Sequence, residues 1–235
     1  MRFAALVMSV LLVLSVIGCS DDREAAPDVL VERRVRASAA GTVQPAEHDT
    51  RPRVIFLGDS LTAGYGVNAD EAFPAVIGEM LAAEGVNVQI INMGVSGDTT
   101  AGGLRRLEWS LKQQPDVLVV GLGGNDGLRG LAPEATARNL RQIIERARES
   151  GARVLLLGMM MPPNYGPEYT EQFRAIYPRL ARDLEVPLVP FLLEGVGGDA
   201  TLNQPDGIHP TAEGHRRVAE NVLSHLREMV RESDS

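Results

Sequence analysis

Short apolar runs alternate with stretches of helical spacing from Val54 onward, and this alternation restricts the fold more than any other feature. The runs are Val54-Ile55-Phe56-Leu57, residues 86–91, residues 117–122, Val154-Leu155-Leu156-Leu157 and Leu188-Val189-Pro190-Phe191. Each has the length of a strand rather than of a helix. Between them lie residues 71–84, 101–113, 133–150 and 168–185, which carry helical spacing, and residues 212–231 form a closing amphipathic helix. Pro133 stands near the start of its helix and Gly151 just past the end, the favoured places for these residue types. Pro178 should kink or split the 168–185 segment. Residues 117–122 are apolar throughout, as a strand covered on both faces requires. Such alternation predicts an α/β domain with a five-stranded parallel sheet and helices on both faces. Right-handed crossovers then bring every strand's C-terminal end to one edge, where ligand and catalytic groups gather.

Ahead of the first strand the pattern is different. Arg2 precedes an apolar run over residues 3–17. A charged start, an apolar stretch and small residues make a secretory signal, and the run is too short for a membrane-spanning helix. Val16-Ile17-Gly18-Cys19 resembles the lipobox of bacterial lipoproteins, in which Cys19 becomes a lipid-modified N-terminus anchored to a membrane. Ordinary cleavage nearby, without lipid, is the alternative. Cys19 is the single cysteine, so no intrachain disulfide is expected. Residues 20–52, rich in Asp, Glu, Arg, Ala and Pro, read as a flexible tether. Residues 53–235 read as one domain, large enough to bury a core. The formal net charge of -8 disfavours a nucleic-acid partner. Lys112 is the only lysine, which leaves no realistic lysine nucleophile. The arginines are scattered and read as solvated faces.

The segments just past the strand ends carry the chemistry. Gly58-Asp59-Ser60-Leu61 follows the first strand. Asn92-Met93-Gly94-Val95-Ser96-Gly97-Asp98-Thr99 follows the second, Gly123-Gly124-Asn125-Asp126 the third, and Asp206-Gly207-Ile208-His209-Pro210 comes after the fifth and a loop. A serine hydroxyl needs a base within hydrogen-bond reach, and the base needs an orienting group. His209 can be that base for Ser60. Asp206, three residues earlier, can hold the imidazole from the same side of one tight turn. The backbone N–H groups of Ser60 and Gly97 and the side-chain amide of Asn125 can supply oxyanion donors. Gly97 suits that role because it has no side chain to block a substrate.

These blocks resemble those of the SGNH hydrolases, also called the GDSL esterase family. Ser60, Gly97, Asn125 and His209 match the four blocks in the family's order. The stretches 58–66 (Gly58-Asp59-Ser60-Leu61-Thr62-Ala63-Gly64-Tyr65-Gly66), 123–130 (Gly123-Gly124-Asn125-Asp126-Gly127-Leu128-Arg129-Gly130), Met161-Pro162-Pro163-Asn164-Tyr165-Gly166 and Asp206-Gly207-Ile208-His209-Pro210 support the match. The bacterial secreted group of thioesterases, lysophospholipases and arylesterases looks most similar. The resemblance implies a three-layer, flavodoxin-like sheet, hydrolysis without metal or cofactor, and a shallow, adaptable site for an ester or thioester. The α/β-hydrolase elbow G-x-S-x-G is absent, because Thr62 stands where its second glycine would be.

The same residues admit other readings. Ser60 alone could be a helix cap, and Asn125 and Gly97 could be turn residues. His48 falls in the tether, and His215 and His225 on the last helix, which leaves His209 as the candidate base. Asp59, Asp98 and Asp126 near one edge could suggest a divalent cation, but turn and cap hydrogen bonding explains them better. No zinc-ligand spacing, G-x-G-x-x-G or P-loop appears. Met159-Met160-Met161 leads into the loop at Pro162, Asn164 and Tyr165, and adaptable thioethers suit an acyl-chain surface. Met159 should be the more buried, and Leu61 and Tyr65 should line the same groove. A carbohydrate O-acetyl esterase and a non-catalytic, membrane-tethered binding module are the rival functions.

Overall fold

The computed structural model describes residues 49–231. The signal segment 1–19 with Cys19, and the tether up to residue 48, lie outside the described residues. The chain enters a strand β1 (Arg53–Gly58), a one-turn helix α1 (Ser60–Ala63), a helix α2 (Phe73–Ala83) and a strand β2 (Gln89–Gly94). A helix α3 (Thr100–Leu111), a strand β3 (Val117–Gly121), a short helix α4 (Gly124–Leu128) and a long helix α5 (Pro133–Glu149) follow. Next come a strand β4 (Arg153–Leu157), a 3-10 turn (Pro163–Tyr165), helices α6 (Pro167–Arg174) and α7 (Ile176–Leu184), a strand β5 (Leu188–Val189) and a helix α8 (Ala212–Arg231).

All strand pairings are parallel, in the order β2-β1-β3-β4-β5. The central strand β3 is buried along its whole length, while the edge strand β2 is half exposed. Helices α2 and α8 pack together, and α5 packs with α3 and α7. With right-handed crossovers this gives two helical layers with the sheet between them. The core runs through Val54, Phe56, Val119 and Leu155 in the sheet to Phe73 and Ile77 on α2 and Leu140 and Ile144 on α5, all fully buried.

Three sequence boundaries shift, each for a local reason. The second strand starts at Gln89 rather than Val86, because the Val86 N–H still caps α2 by donating to Leu81 O at 2.9 Å. The 168–185 segment splits at Ala175, three residues before Pro178. That places Pro178 in the first turn of α7, where a missing N–H costs no helical bond. The fifth strand ends at Val189, because Pro190 has no N–H to continue the ladder. The site is set up at the C-terminal edge of the sheet. Gly58 pairs in register with Gly94 and with Gly121, so the three glycines end adjacent strands at one level. A Cβ at Gly94 would overlap the backbone of Thr62 and Ala63. Glycine there lets α1 lie across the strand ends.

Candidate active site

Asp59 caps α1. Its Oδ1 accepts from the Leu61 N–H at 3.1 Å, which makes Ser60 the first helical residue and not the cap. The Ser60 hydroxyl is therefore free to face His209, whose Nε2 lies 2.9 Å from Ser60 Oγ. His209 Nδ1 lies 2.7 Å from Asp206 Oδ2. Asp206 Oδ1 accepts from the backbone N–H groups of Ile208 and His209 at 2.9 and 3.0 Å. The backbone N–H of His209, then its ring and the Ile208 N–H, hold the Asp206 carboxyl down at about 2, so Asp206 is ionised at any working pH. The ring of Tyr65 lies 4.6 Å from the His209 ring. The strap bearing Asp206 and His209 is fastened by Gln204, whose Nε2 donates to the carbonyls of Tyr65 and Pro210.

Gly97 and Asn125 come to the same place from β2 and β3, the two strands that flank β1. Asn125 Nδ2 donates to Asp98 O at 3.0 Å and to Asp59 Oδ2 at 3.4 Å. Gly97 is the third residue of a turn closed by the Asp98 N–H on Val95 O at 3.0 Å. Its φ of 80° is the type II geometry that favours glycine. No hydrogen bond occupies the N–H of Ser60 or of Gly97 among the described residues.

A cavity of about 520 Å³ opens beside Ser60, Asn125 and His209. Its wall is largely apolar. Leu61, Met159, Met160 and Met161 line it together with Pro162, and Met159 and Met161 are buried while Met160 is partly exposed. Asn164 is exposed and is not among the lining residues; neither is Tyr165, whose hydroxyl donates to Leu128 O at 3.0 Å. Tyr65 flanks His209 rather than the cavity wall. Sequence reasoning missed four further lining residues, Phe191, Leu193, Gly197 and Gly198. The signal was Pro190, which ends β5 and releases Phe191 from the sheet.

Each acidic residue at this edge has its own protein partners. Asp126 accepts from the N–H and hydroxyl of Thr100 at 2.8 and 2.5 Å. Asp98 pairs with Arg106 at 2.6 Å. Arg106 also donates to Met93 O at 2.6 Å and Gly58 O at 2.7 Å. This arginine is therefore not on a solvated face: it ties together the ends of β1 and β2. No group of three metal-ligating residues is present among the described residues.

Burial pushes the Asp59 carboxyl up to about 6, against the opposing pull of the Leu61 N–H, His209 and Asn125. In an unfolded chain the same group titrates at about 3.9. Between those values the folded chain holds a proton that the unfolded chain has released, so stability decreases as pH rises across that window. A two-unit difference corresponds to about 3 kcal/mol. Urea unfolding at about pH 4 and about pH 7 should therefore show the wild type losing roughly 2 kcal/mol more than Asp59→Asn over that interval, since the unfolded group is already about half ionised at the lower pH. Parallel losses would show that Asp59 titrates as an ordinary surface carboxyl.

Comparison with known proteins places these features in context. Residues 56–217 match the model of the GDSL-like Lipase/Acylhydrolase family. The chain is 44% identical to Esterase TesA of Pseudomonas aeruginosa over 178 residues, covering 75% of this chain and 89% of that protein. It is 41% identical to the Thioesterase 1/protease 1/lysophospholipase L1 of Escherichia coli over 190 residues, covering 80% and 88%. The structure of the psychrotrophic esterase EstA from a Pseudoalteromonas species, inhibited by monoethylphosphonate, superposes with a TM-score of 0.72 at 29% identity, covering 76% of this chain and 98% of that one.

Proposed function

The chain belongs to the GDSL-like lipase/acylhydrolase family and is a carboxylic ester hydrolase, and from that premise we propose that it acts through an acyl-enzyme on Ser60. The observation that carries this reading is the unbroken hydrogen-bond chain Asp206–His209–Ser60 at the mouth of an apolar cavity. His209 Nε2 takes the hydroxyl proton as Ser60 Oγ attacks the acyl carbonyl. Asp206, ionised and pinned by two backbone N–H groups, stabilises the imidazolium that forms. The new oxyanion sits against the N–H groups of Ser60 and Gly97 and the amide of Asn125. Asn125 gives up its long contact to Asp59 and keeps the shorter one to Asp98 O. His209 then protonates the leaving alcohol or thiol. Water, deprotonated by the same ring, releases the acid.

The cavity wall favours an alkyl acyl group over a bare acetyl on a sugar. Its volume of about 520 Å³ lies in the range of small-molecule sites, and the Met159 to Met161 thioethers adapt to chains of different length. With a panel of aryl esters, kcat/KM is expected to rise from acetate to medium-chain acyl groups by about tenfold or more. Each buried methylene contributes about 0.8 kcal/mol, so two or three suffice. Preference for acetylated sugars over every longer acyl ester would remove the acyl-chain reading and favour the O-acetyl esterase.

The chain's address is proposed from sequence alone. An exported protein lipidated on Cys19 would carry the catalytic domain on a tether at a membrane face. Labelled palmitate should enter the wild type and not Cys19→Ser; equal labelling of both would exclude it.

A further inference from the structure

One side chain at this edge has no part in the triad, the oxyanion donors or the cavity wall, yet it is attached to the turn that bears Gly97. Arg129 Nη2 donates to Gly97 O at 2.8 Å. Arg129 follows α4, four residues after Asn125, so the two side chains leave the same face one helical turn apart. Asn125 holds the carbonyl of Asp98, and Arg129 holds the carbonyl of Gly97. One short element thus grips two consecutive carbonyls of the turn. The turn benefits from such a grip, because Val95, Ser96 and Gly97 are exposed and its other ties lie at its two ends, the Val95 N–H on Gly58 O at 3.0 Å and the Asp98 carboxylate on Arg106.

We propose that Arg129 is a positioning residue for the oxyanion hole, clamping the Gly97 turn onto α4 so that the Gly97 N–H and the Asn125 amide are held at a fixed spacing. The proposal rests on the reading of Gly97 and Asn125 as oxyanion donors. Preorganised donors stabilise the transition state because they do not have to be reoriented as charge develops. A looser turn leaves ground-state binding alone, since the cavity that would take the acyl chain is lined by Met159, Met161 and Phe191 and not by Gly97. Loss of the clamp should therefore appear in kcat and not in KM. Arginine suits this role because its planar fork loses less freedom on forming a hydrogen bond than an ammonium on a flexible stem.

The test uses the purified protein and an aryl ester in the linear range, with Arg129→Ala, Arg129→Lys and, for scale, Asn125→Ala. Asn125→Ala, which deletes a donor, should lower kcat about a hundred- to a thousand-fold. Arg129→Ala should lower kcat about tenfold, with KM and Tm close to wild type. Arg129→Lys should recover part of the loss through a single donor to Gly97 O. Affinity for an alkyl boronic acid, whose tetrahedral adduct carries the oxyanion, should fall by the same factor as kcat/KM, while affinity for the fatty-acid product stays level. The Arg129→Ala defect should persist when ionic strength is raised well beyond the screening range of an exposed charge. A wild-type kcat in Arg129→Ala, a defect confined to KM, or one abolished by salt would each overturn the clamp. If Asn125→Ala is also without effect, the oxyanion reading itself has failed; if Asn125→Ala is crippled and Arg129→Ala is not, only the clamp has.

Discussion

Replacing Ser60 by alanine is expected to lower kcat by about ten-thousand- to a million-fold, with little change in thermal stability. The loss is large because the nucleophile and its base act as a unit, and nothing else in the cavity can form the acyl-enzyme. Cys19 is the single cysteine and Lys112 the single lysine, and Lys112 immediately follows α3 at its C-terminal end, away from the strand ends that carry the site. The stability cost is small because the Ser60 hydroxyl makes its hydrogen bond to His209 in a half-buried position, while the cap of α1 is supplied by Asp59. Only one oxygen is removed and no buried group is orphaned. Residual turnover would come from the remaining oxyanion donors and from binding. Fluorophosphonate labelling provides the independent measurement: the wild type should incorporate one label, on Ser60, and the variant none. Label retained in Ser60→Ala, or turnover above a few per cent of wild type, would remove Ser60 from the mechanism.

The parallel sheet was legible in the sequence because buried strands announce themselves by uninterrupted apolar runs. Residues 117–122 read as a covered strand, and β3 is buried from Val117 to Gly121. The closing helix was legible from its periodicity and occupies Ala212–Arg231. Two short helices were not. In α4, Gly124-Asn125-Asp126-Gly127-Leu128 contains two poor helix formers in five residues. It forms because tertiary bonds hold it, Asp126 to Thr100 and the Tyr169 hydroxyl to Gly127 O within the helix and to Leu131 O just beyond it. The one-turn helix α1 likewise depends on the buried Asp59 and on close approach to Gly94, and neither leaves a periodic trace.

Legibility at the site divides along the same line. Ser60, Asn125, Asp206 and His209 could be picked out because each follows a recognisable strand or sits at a short, chemically meaningful spacing. Arg106 and Arg129 could not, because a long side chain reaches carbonyls far away in sequence and its direction is not encoded by its neighbours. Arg106 spans 48 residues to Gly58 O. Phe191 and Leu193 escaped for a different reason. A strand reading through Phe191 assigns it to the sheet, and only the missing N–H of Pro190 tells that the ladder stops earlier.

Asp206→Asn is expected to cost about ten-thousand-fold in kcat, more than Asp206→Ala, and the reason lies in which hydrogen bonds each oxygen makes. Oδ1 accepts two backbone N–H groups, from Ile208 and His209, and Oδ2 faces His209 Nδ1. An asparagine amide has one acceptor and one donor end. Turning its NH2 toward the two backbone N–H groups would set donors against donors, so the carbonyl oxygen must take that side. The NH2 then faces His209 Nδ1 and makes it an acceptor. The ring proton is forced onto Nε2, which donates to Ser60 Oγ and can no longer accept its proton. Alanine imposes no such tautomer: the Asp206 side chain is 39% exposed, and water entering its place can accept from Nδ1. Nitrogen-15 NMR of the imidazole should report the Nε2–H tautomer in Asp206→Asn and a mixture in Asp206→Ala, with kcat ranked wild type, then Ala, then Asn. An Asn variant that outperforms Ala, or that keeps the proton on Nδ1, would mean that Asp206 acts chiefly through its charge and not by choosing the tautomer.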